Sequence, residues 1–397
     1  MYRPLSSVNE SHLIPTMAKN LVVVLCALLH FPASAQWVAM ESSGDSLVRV
    51  GIDHIYNVEF AEANAIFSKV ISMYPTHPAG YFLDAMVEWW KIELDRRNQS
   101  YDATFLKKID RVLTVCQATL DTVPSNITAL FFKGGAIGFR GRFNVIRENY
   151  FSAADDGRIA LDILRECQRV APGNHDVMLG TGLYNYYSVA IPEKMPAIGT
   201  IMMFLPSGDK RLGLAQLKAC ARTARYAANE AKVVLVQAYS EFEKNMVEAI
   251  VYAKDLYQRY PKNPSFNRAY GRCLISLGPL DSAEVIWRNV LVAYMDQKFG
   301  FDKLAAREAL YYIGVCRMQS RDYETALRYF YKCDEASRHL DQDPSGYMVK
   351  TNLNIGKIYD LQGKRDLAIA QYRKVLAWRD VGGSIADAEK YMASPYR

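Results

Sequence analysis

Gly356-Lys357-Ile358-Tyr359-Asp360-Leu361-Gln362-Gly363-Lys364-Arg365-Asp366-Leu367-Ala368-Ile369-Ala370-Gln371-Tyr372 sets a small residue 12 positions before an alanine and an aromatic 4 positions after it. The same offsets join Gly314, Ala326 and Phe330. They also join Gly51, Ala63 and Phe67, with Pro75 8 positions on. Read from Gln237, the chain carries a 34-residue beat: Gln237, Ala249 and Pro261 are followed at the same offsets by Gly271, Ala283 and a turn. The spacing has a mechanical reason. Two antiparallel helices cross closely only where small residues sit at the contact. The large side chain one turn after the alanine is expected to fill the groove toward the next copy, and proline stops the second helix. Five copies in one chain predict stacked helix pairs.

Small residue, alanine, aromatic and proline at these offsets make up the tetratricopeptide pattern. The resemblance implies a protein that binds other proteins, without naming the partner. The expected fold is all-α: a right-handed superhelix, or solenoid, of antiparallel helix pairs with a concave face. Half of the residues are apolar (50%), and no useful length shows strand-type alternation. Pairs are predicted at 44–57 with 59–73, 79–97 with 103–121, and 127–143 with 150–170. A fourth starts at 175, is interrupted near 190 and resumes at 209–223. Then come 229–243 with 246–259, 265–277 with 280–294, 303–319 with 322–337, and 347–362 with 365–378. A short helix at 384–392 caps the end.

The amino-terminal segment reads as an export signal. Met17-Ala18-Lys19 is a basic start, Leu21 to Leu29 is an apolar run, Pro32 breaks it, and Ala33-Ser34-Ala35 precedes Gln36. The run is too short to span a bilayer. Met17 is an alternative start, and Leu25 is too bulky before Cys26 for lipoprotein processing. The expected organisation is a signal peptide at 1–35 and one helical-repeat domain at 36–397, with an apolar insertion at 189–206. The mature chain is expected to be exported and periplasmic. Removing Arg3, Glu10 and Lys19 takes the net charge from +6 to +5, and no basic stripe suggests nucleic acid.

Six cysteines follow the signal: Cys116, Cys167, Cys220, Cys273, Cys316 and Cys333. An even number in an exported chain raises disulfides, and Cys316 with Cys333 is the pair to test. Each lies in an apolar helical context, which favours small buried hydrophobes. None has CxxC spacing, so no zinc site or thiol redox chemistry is expected.

The middle of the chain carries a more specific resemblance. Gly138-Phe139-Arg140-Gly141-Arg142, Gly182-Leu183-Tyr184-Asn185-Tyr186-Tyr187 and Gly208-Asp209-Lys210-Arg211-Leu212-Gly213-Leu214 occur in that order. The region 125–265 resembles exported bacterial tetratricopeptide proteins. It also resembles the eukaryotic tetratricopeptide family linked to the mitochondrial outer membrane and inclusion-body clearance. In that family a proline-containing apolar segment leads into a Gly-Asp-basic helix start, the layout of Ile191-Pro192 and Gly208 to Leu214 here. The resemblance implies a helical-repeat fold and no enzymatic activity. The export signal departs from the eukaryotic setting.

The same residues read bottom-up as follows. Gly134, Gly135, Gly138 and Gly141 give a smooth helix face for close packing, and no strand precedes them as a dinucleotide loop requires. Arg140, Arg142 and Arg147 are a solvated face, partners of Glu148, Asp155 or Asp156, or an anion site. Ser207 or Asp209 is the expected cap of the helix that follows, with Gly208 easing the turn. Tyr184 and Tyr187 share a helix face while Tyr186 points elsewhere. Trp89 and Trp90 are adjacent, so one is expected in the core and one nearer the surface. The insertion plugs the superhelix interior, forms a docking lip for a protein, or touches a lipid surface as a peripheral contact.

No catalytic constellation emerges. His54, His77, His175 and His339 are far apart, and HExxH, GxSxG and Walker motifs are absent. No catalytic residue, metal or cofactor is expected. The main expectation is a non-enzymatic interaction scaffold of the cell envelope, holding a peptide or partner protein on its concave face. Counting from each repeat's small residue, that face should carry Glu241, Arg272, Ile275, Tyr311, Val315, Met318, Leu353, Lys357 and Asp360. The alternative is a small-ligand or lipid-binding protein with a pocket around 182–206, lined by Tyr184, Tyr187, Met203 and Phe204. A closed apolar cavity near Tyr184 favours the second reading; an open mixed groove favours the first.

Overall fold

The computed structural model describes residues 39–196, 199 and 205–397. The expected signal at 1–35, most of the apolar insertion, Met203 and Phe204 lie outside the described residues. The described chain is an all-α solenoid of antiparallel pairs. Its helices are α1 (Ser42–Tyr56), α2 (Phe60–Met73), α3 (Pro78–Leu94), α4 (Asp102–Thr122), α5 (Ile127–Ile146), α6 (Tyr150–Val170), α7 (Met178–Lys194), α8 (Lys210–Thr223) and α9 (Ala228–Gln237). They continue as α10 (Met246–Arg259), α11 (Pro264–Leu277), α12 (Leu280–Met295), α13 (Lys303–Gln319), α14 (Tyr323–Leu340), α15 (Gly346–Leu361), α16 (Arg365–Leu376) and α17 (Ser384–Ala393). Short polar side chains start many of them. Asn126, Asn245, Asp302, Asp322 and Ser345 each accept a backbone N–H of the first turn, and Asp209 accepts two.

The repeat spacing has a direct structural cause. A Cβ on Gly51 would lie 2.4 Å from the Phe67 ring. On Gly271 it would lie 2.8 Å from Trp287, on Gly314 2.7 Å from Phe330, and on Gly356 2.5 Å from Tyr372. The aromatic therefore rests on the glycine of its own repeat, rather than filling the groove to the next. Three further expectations are corrected. The 34-residue beat holds from Gln237 to Gly271 but stretches afterwards, because α12 and α14 run to 16 and 18 residues before longer connections. The helix expected to break near 190 continues to Lys194, because Pro192 falls in its last turn and removes only one late N–H. Trp89 and Trp90 are both buried, at 0% and 5% exposure.

The second tryptophan is buried because the solenoid closes on itself. The first helix, α1, meets α9, α11 and the turns before them through side chains some 170–210 positions away. Arg225 pairs with Asp45, Tyr56 Oη donates to Glu230 (3.1 Å), and Tyr260 Oη donates to Asp53 (2.6 Å). Asn263 Nδ2 donates to the Tyr56 carbonyl (2.9 Å), and Lys262 pairs with Glu59 (2.5 Å). Trp90 packs edge-on against Tyr56 and Phe266 at ring-centroid distances of 5.1 and 5.7 Å, so its second face is covered from across the ring. One core accordingly joins residues of α1–α6 to Leu256, Tyr260 and Phe266, while α12–α17 continue beyond the ring with smaller cores of their own.

Candidate functional site

The inner helices of the ring enclose a cavity of about 470 Å³, within the range of about 300–1,000 Å³ usual for small-molecule sites. Helices α1, α3, α5, α6, α7 and α9 all contribute to its wall. Most of the lining is apolar, including Ile52, Phe82, Leu83, Phe132, Leu164 and Leu183. Small residues make the room. Gly138 and Gly157 lie on the wall, and a Cβ added to either would meet nothing nearer than 3.7 Å. The same α5–α6 crossing is tight elsewhere, since a Cβ on Gly134 would lie 2.8 Å from Leu164. One glycine-rich face thus brings the helices together and leaves space beside them.

One end of the cavity is shut. Ala39 is buried there: its N–H donates to Tyr226 Oη (3.0 Å), and its carbonyl accepts from His77 Nε2 (2.8 Å). Burial holds His77 below its ordinary pKa, so the ring is neutral at pH 7 and its Nδ1 accepts the Ala79 N–H that starts α3. Asp176 accepts the backbone N–H groups of Arg225, Tyr226 and Ala227, which anchors the turn into α9. The other end opens past Arg96, Val145 and Met195. All three line the cavity, yet Val145 and Met195 are 43% and 46% exposed.

A line of alternating charges runs from inside the cavity to that mouth. Arg142 donates to Glu230 at 2.6 Å and lies 3.8 Å from Glu93, and Arg96 pairs with Glu93 at 2.6 Å. Burial opposes the charge on Arg142, but Glu230 and Glu93 outweigh it and hold its pKa above the ordinary value. The guanidinium lies over Trp89 and Phe139, 4.6 and 5.0 Å from their centroids. Burial, with Glu230 beside it, pushes the Tyr56 hydroxyl well above its ordinary pKa, so it stays a donor. Of the three arginines marked in the sequence, Arg140 instead pairs with Asp156 and Arg147 with Asp102, both at 2.6 Å.

Tyr184 and Tyr187 both line the cavity. Tyr184 Oη donates to the Pro206 carbonyl (2.9 Å) and Tyr187 Oη to Gln237 (3.2 Å), while Tyr186 turns away to Glu243 (2.7 Å). The residues expected on the partner face lie outside the cavity. Glu241 is exposed in the turn after α9. Arg272 is bidentate to Glu308 at 2.5 and 2.9 Å. Burial works to raise the Glu308 pKa, but Arg272 and Arg268 keep it below its ordinary value. Ile275 packs against the Trp287 core, and Tyr311, Val315 and Met318 pack against Phe330, Ile355 and Ile358. Leu353 is 6% exposed. Lys357 lies over Tyr391 and Tyr396, and burial lowers its pKa despite Asp387. Asp360 holds Arg365, Tyr372 Oη and the Tyr396 N–H. Sequence reasoning missed Tyr56, Glu230 and Trp89 as site residues, and no local motif marks them.

Among the described residues no helix is long and apolar enough to cross a membrane, and no three His, Cys, Asp or Glu residues are grouped to hold a metal ion. Models of the tetratricopeptide repeat match residues 308–335 and 349–380, the pairs α13–α14 and α15–α16. Repeats of this kind generally serve as scaffolds for protein or peptide partners. No curated protein matches the chain. Among solved structures, a thermophilic tetratricopeptide protein of Thermus thermophilus is 16% identical at a TM-score of 0.36, covering 58% of this chain and 98% of its own. A Rap protein complexed with competence and sporulation factor is 12% identical at 0.34, covering 90% and 81%. YrrB, a tetratricopeptide protein with an unusual peptide-binding site, is 15% identical at 0.26, covering 68% and 92%. Superpositions this loose establish neither a common curvature nor a common site.

Proposed function

We propose that this chain is a non-enzymatic, exported binding protein of the cell envelope whose closed ring takes a small apolar ligand. The observation that carries the reading is the side-chain closure of α1 onto α9 and α11. It turns the concave face of the ring into an apolar cavity, open at one end, with Tyr184 and Tyr187 on its wall. A peptide groove needs an open face with accessible polar groups along it; here that face is covered by α1. The test is titration of the delipidated full chain with N-phenyl-1-naphthylamine. One saturable site per chain, with the emission of a dry environment, is expected. A linear response with no saturation would overturn the reading.

The repeats at 308–335 and 349–380 support a second role, docking of a protein partner on the part of the solenoid beyond the ring. Of the expected partner face, Glu241 and Arg272 are exposed, although both lie on the ring rather than beyond it. Capture of envelope proteins by a variant with alanine at Arg272, Tyr311 and Lys357 tests that role, and an unchanged set of captured proteins rejects it.

A further inference from the structure

The charges at the cavity mouth restrict the ligand further than its apolar wall does. We propose that the cavity takes a neutral single-chain amphiphile, such as a monoacylglycerol or a fatty alcohol, with its hydroxyl head at Arg142 and Glu230 and its chain toward Phe132 and Leu164. The inference rests on the cavity reading above. The polar groups at this end are two arginines and two glutamates already joined in series, Glu230–Arg142–Glu93–Arg96, with no net charge.

A free carboxylate at Arg142 would stand beside Glu230 and Glu93, so that three carboxylates would share that one guanidinium. Glu230 is 4% exposed, and Arg142 is its countercharge, so a second carboxylate competing for that guanidinium weakens the pairing of a buried charge. An ammonium head meets the mirror-image problem, since it would stand beside both Arg142 and Arg96. A hydroxyl breaks neither pair: it donates to a carboxylate oxygen and accepts from a guanidinium N–H at once. Trp89 lines the cavity beneath the Arg142 guanidinium, it is 0% exposed, and its Nε1–H is buried with no acceptor. An orphaned buried donor is uncommon in a folded protein.

The test is displacement of bound N-phenyl-1-naphthylamine from the full chain at pH 8 by monomyristoylglycerol, by myristate and by tetradecylammonium, each below its aggregation limit. The neutral lipid is expected to displace the fluorophore at least tenfold more tightly than either charged one. Glu230→Gln keeps an acceptor for Tyr56 but leaves Arg142 without its carboxylate, so this variant should shift the preference at least tenfold toward myristate. Equal affinity for all three lipids, or a wild-type preference for myristate, would overturn the proposal while leaving the cavity reading intact. Failure of the fluorophore itself to bind would instead remove the cavity reading. If Glu230→Gln does not fold, as judged by its circular dichroism, the wild-type order of the three lipids decides alone.

Discussion

Filling the cavity from its wall should separate ligand binding from stability. Gly157 lies in α6 on the cavity lining, and a Cβ there would have only the Tyr184 ring, at 3.9 Å, for company. Gly157→Leu therefore places its side chain in empty space rather than in a packed core. Replacing a helical glycine with a good helix former adds about 0.8–1 kcal/mol. Burying part of the leucine against apolar wall adds about 1 kcal/mol more. Stability should rise by about 1–2 kcal/mol, read as a higher unfolding midpoint in urea at an unchanged slope. Binding should move the other way. The four added carbons displace about four ligand methylenes at about 0.8 kcal/mol each. That loss of about 3 kcal/mol is about two orders of magnitude in affinity. Urea titration and fluorophore titration of the same preparation check both halves. A variant that is stabilised yet binds as tightly as the parent would show that the cavity is not the site. A variant that is destabilised by more than about 1 kcal/mol would show that the space beside Gly157 is not there.

Three further outcomes follow from other parts of the structure. Gly213→Ala should destabilise by at least about 1–3 kcal/mol in the same urea assay, because its Cβ would lie 2.5 Å from the Tyr186 backbone N and 2.9 Å from the Gly182 oxygen, neither of which can rotate away. The ring closure should weaken in acid. The hydrogen bond from Arg225 holds Asp45 below its ordinary value, and Lys262, with His54, does the same for Glu59. Carboxylates depressed in the folded state contribute stability that is complete above their unfolded pKa of about 4 and is lost as pH falls through the folded value. Asp45→Asn should remove part of that acid dependence and raise hydrogen exchange in α1 at pH 7, whereas an unchanged acid limb would mean that the closure does not report on global stability. The six described cysteines are free and buried, and burial pushes Cys116, Cys167 and Cys316 up to about 12, and Cys273 and Cys333 up to about 11. Maleimide at pH 7 should leave all six unmodified in the native protein and label all six in urea, by mass spectrometry; native labelling of Cys116 would contradict its placement.

Much of the helical framework is written locally. The pattern Gly356, Ala368, Tyr372 is legible because the small residue and the ring that rests on it belong to one helix pair 16 positions apart, and the geometry of two helices and a tight turn brings them together. The pair boundaries are legible for the same reason: Asn126, Asp209 and Asp322 cap helices through atoms two or three residues away. The shared face of Tyr184 and Tyr187 follows from helical periodicity alone. Other features of the pairs escape a spacing argument. The turns within several pairs pass through left-handed residues such as Val58, Glu148 and Arg321, where the sequence has no glycine to announce them.

The site belongs to another scale. Whether a stack of helix pairs leaves an open groove or closes on itself depends on small rotations added from pair to pair, and no single repeat encodes their sum. Here the sum brings α1 onto α9 and α11, so Tyr56 meets Glu230, Asp45 meets Arg225, and Trp90 is covered by Phe266. Sequence reading put one of the two tryptophans near the surface because one helix has one buried stripe; ring closure buries a second. It left the arginines at 140, 142 and 147 as a solvated face, partners of Glu148, Asp155 or Asp156, or an anion site; Arg140 does pair with Asp156, whereas Arg142 spans the ring to Glu230. By itself the sequence determined the helices, their pairing and the close contacts inside each repeat, since those arise between residues near in the chain. Only the tertiary structure decided that the concave face is a largely apolar cavity, open at one end and lined there by paired charges, because that depends on side chains far apart in sequence meeting across the ring.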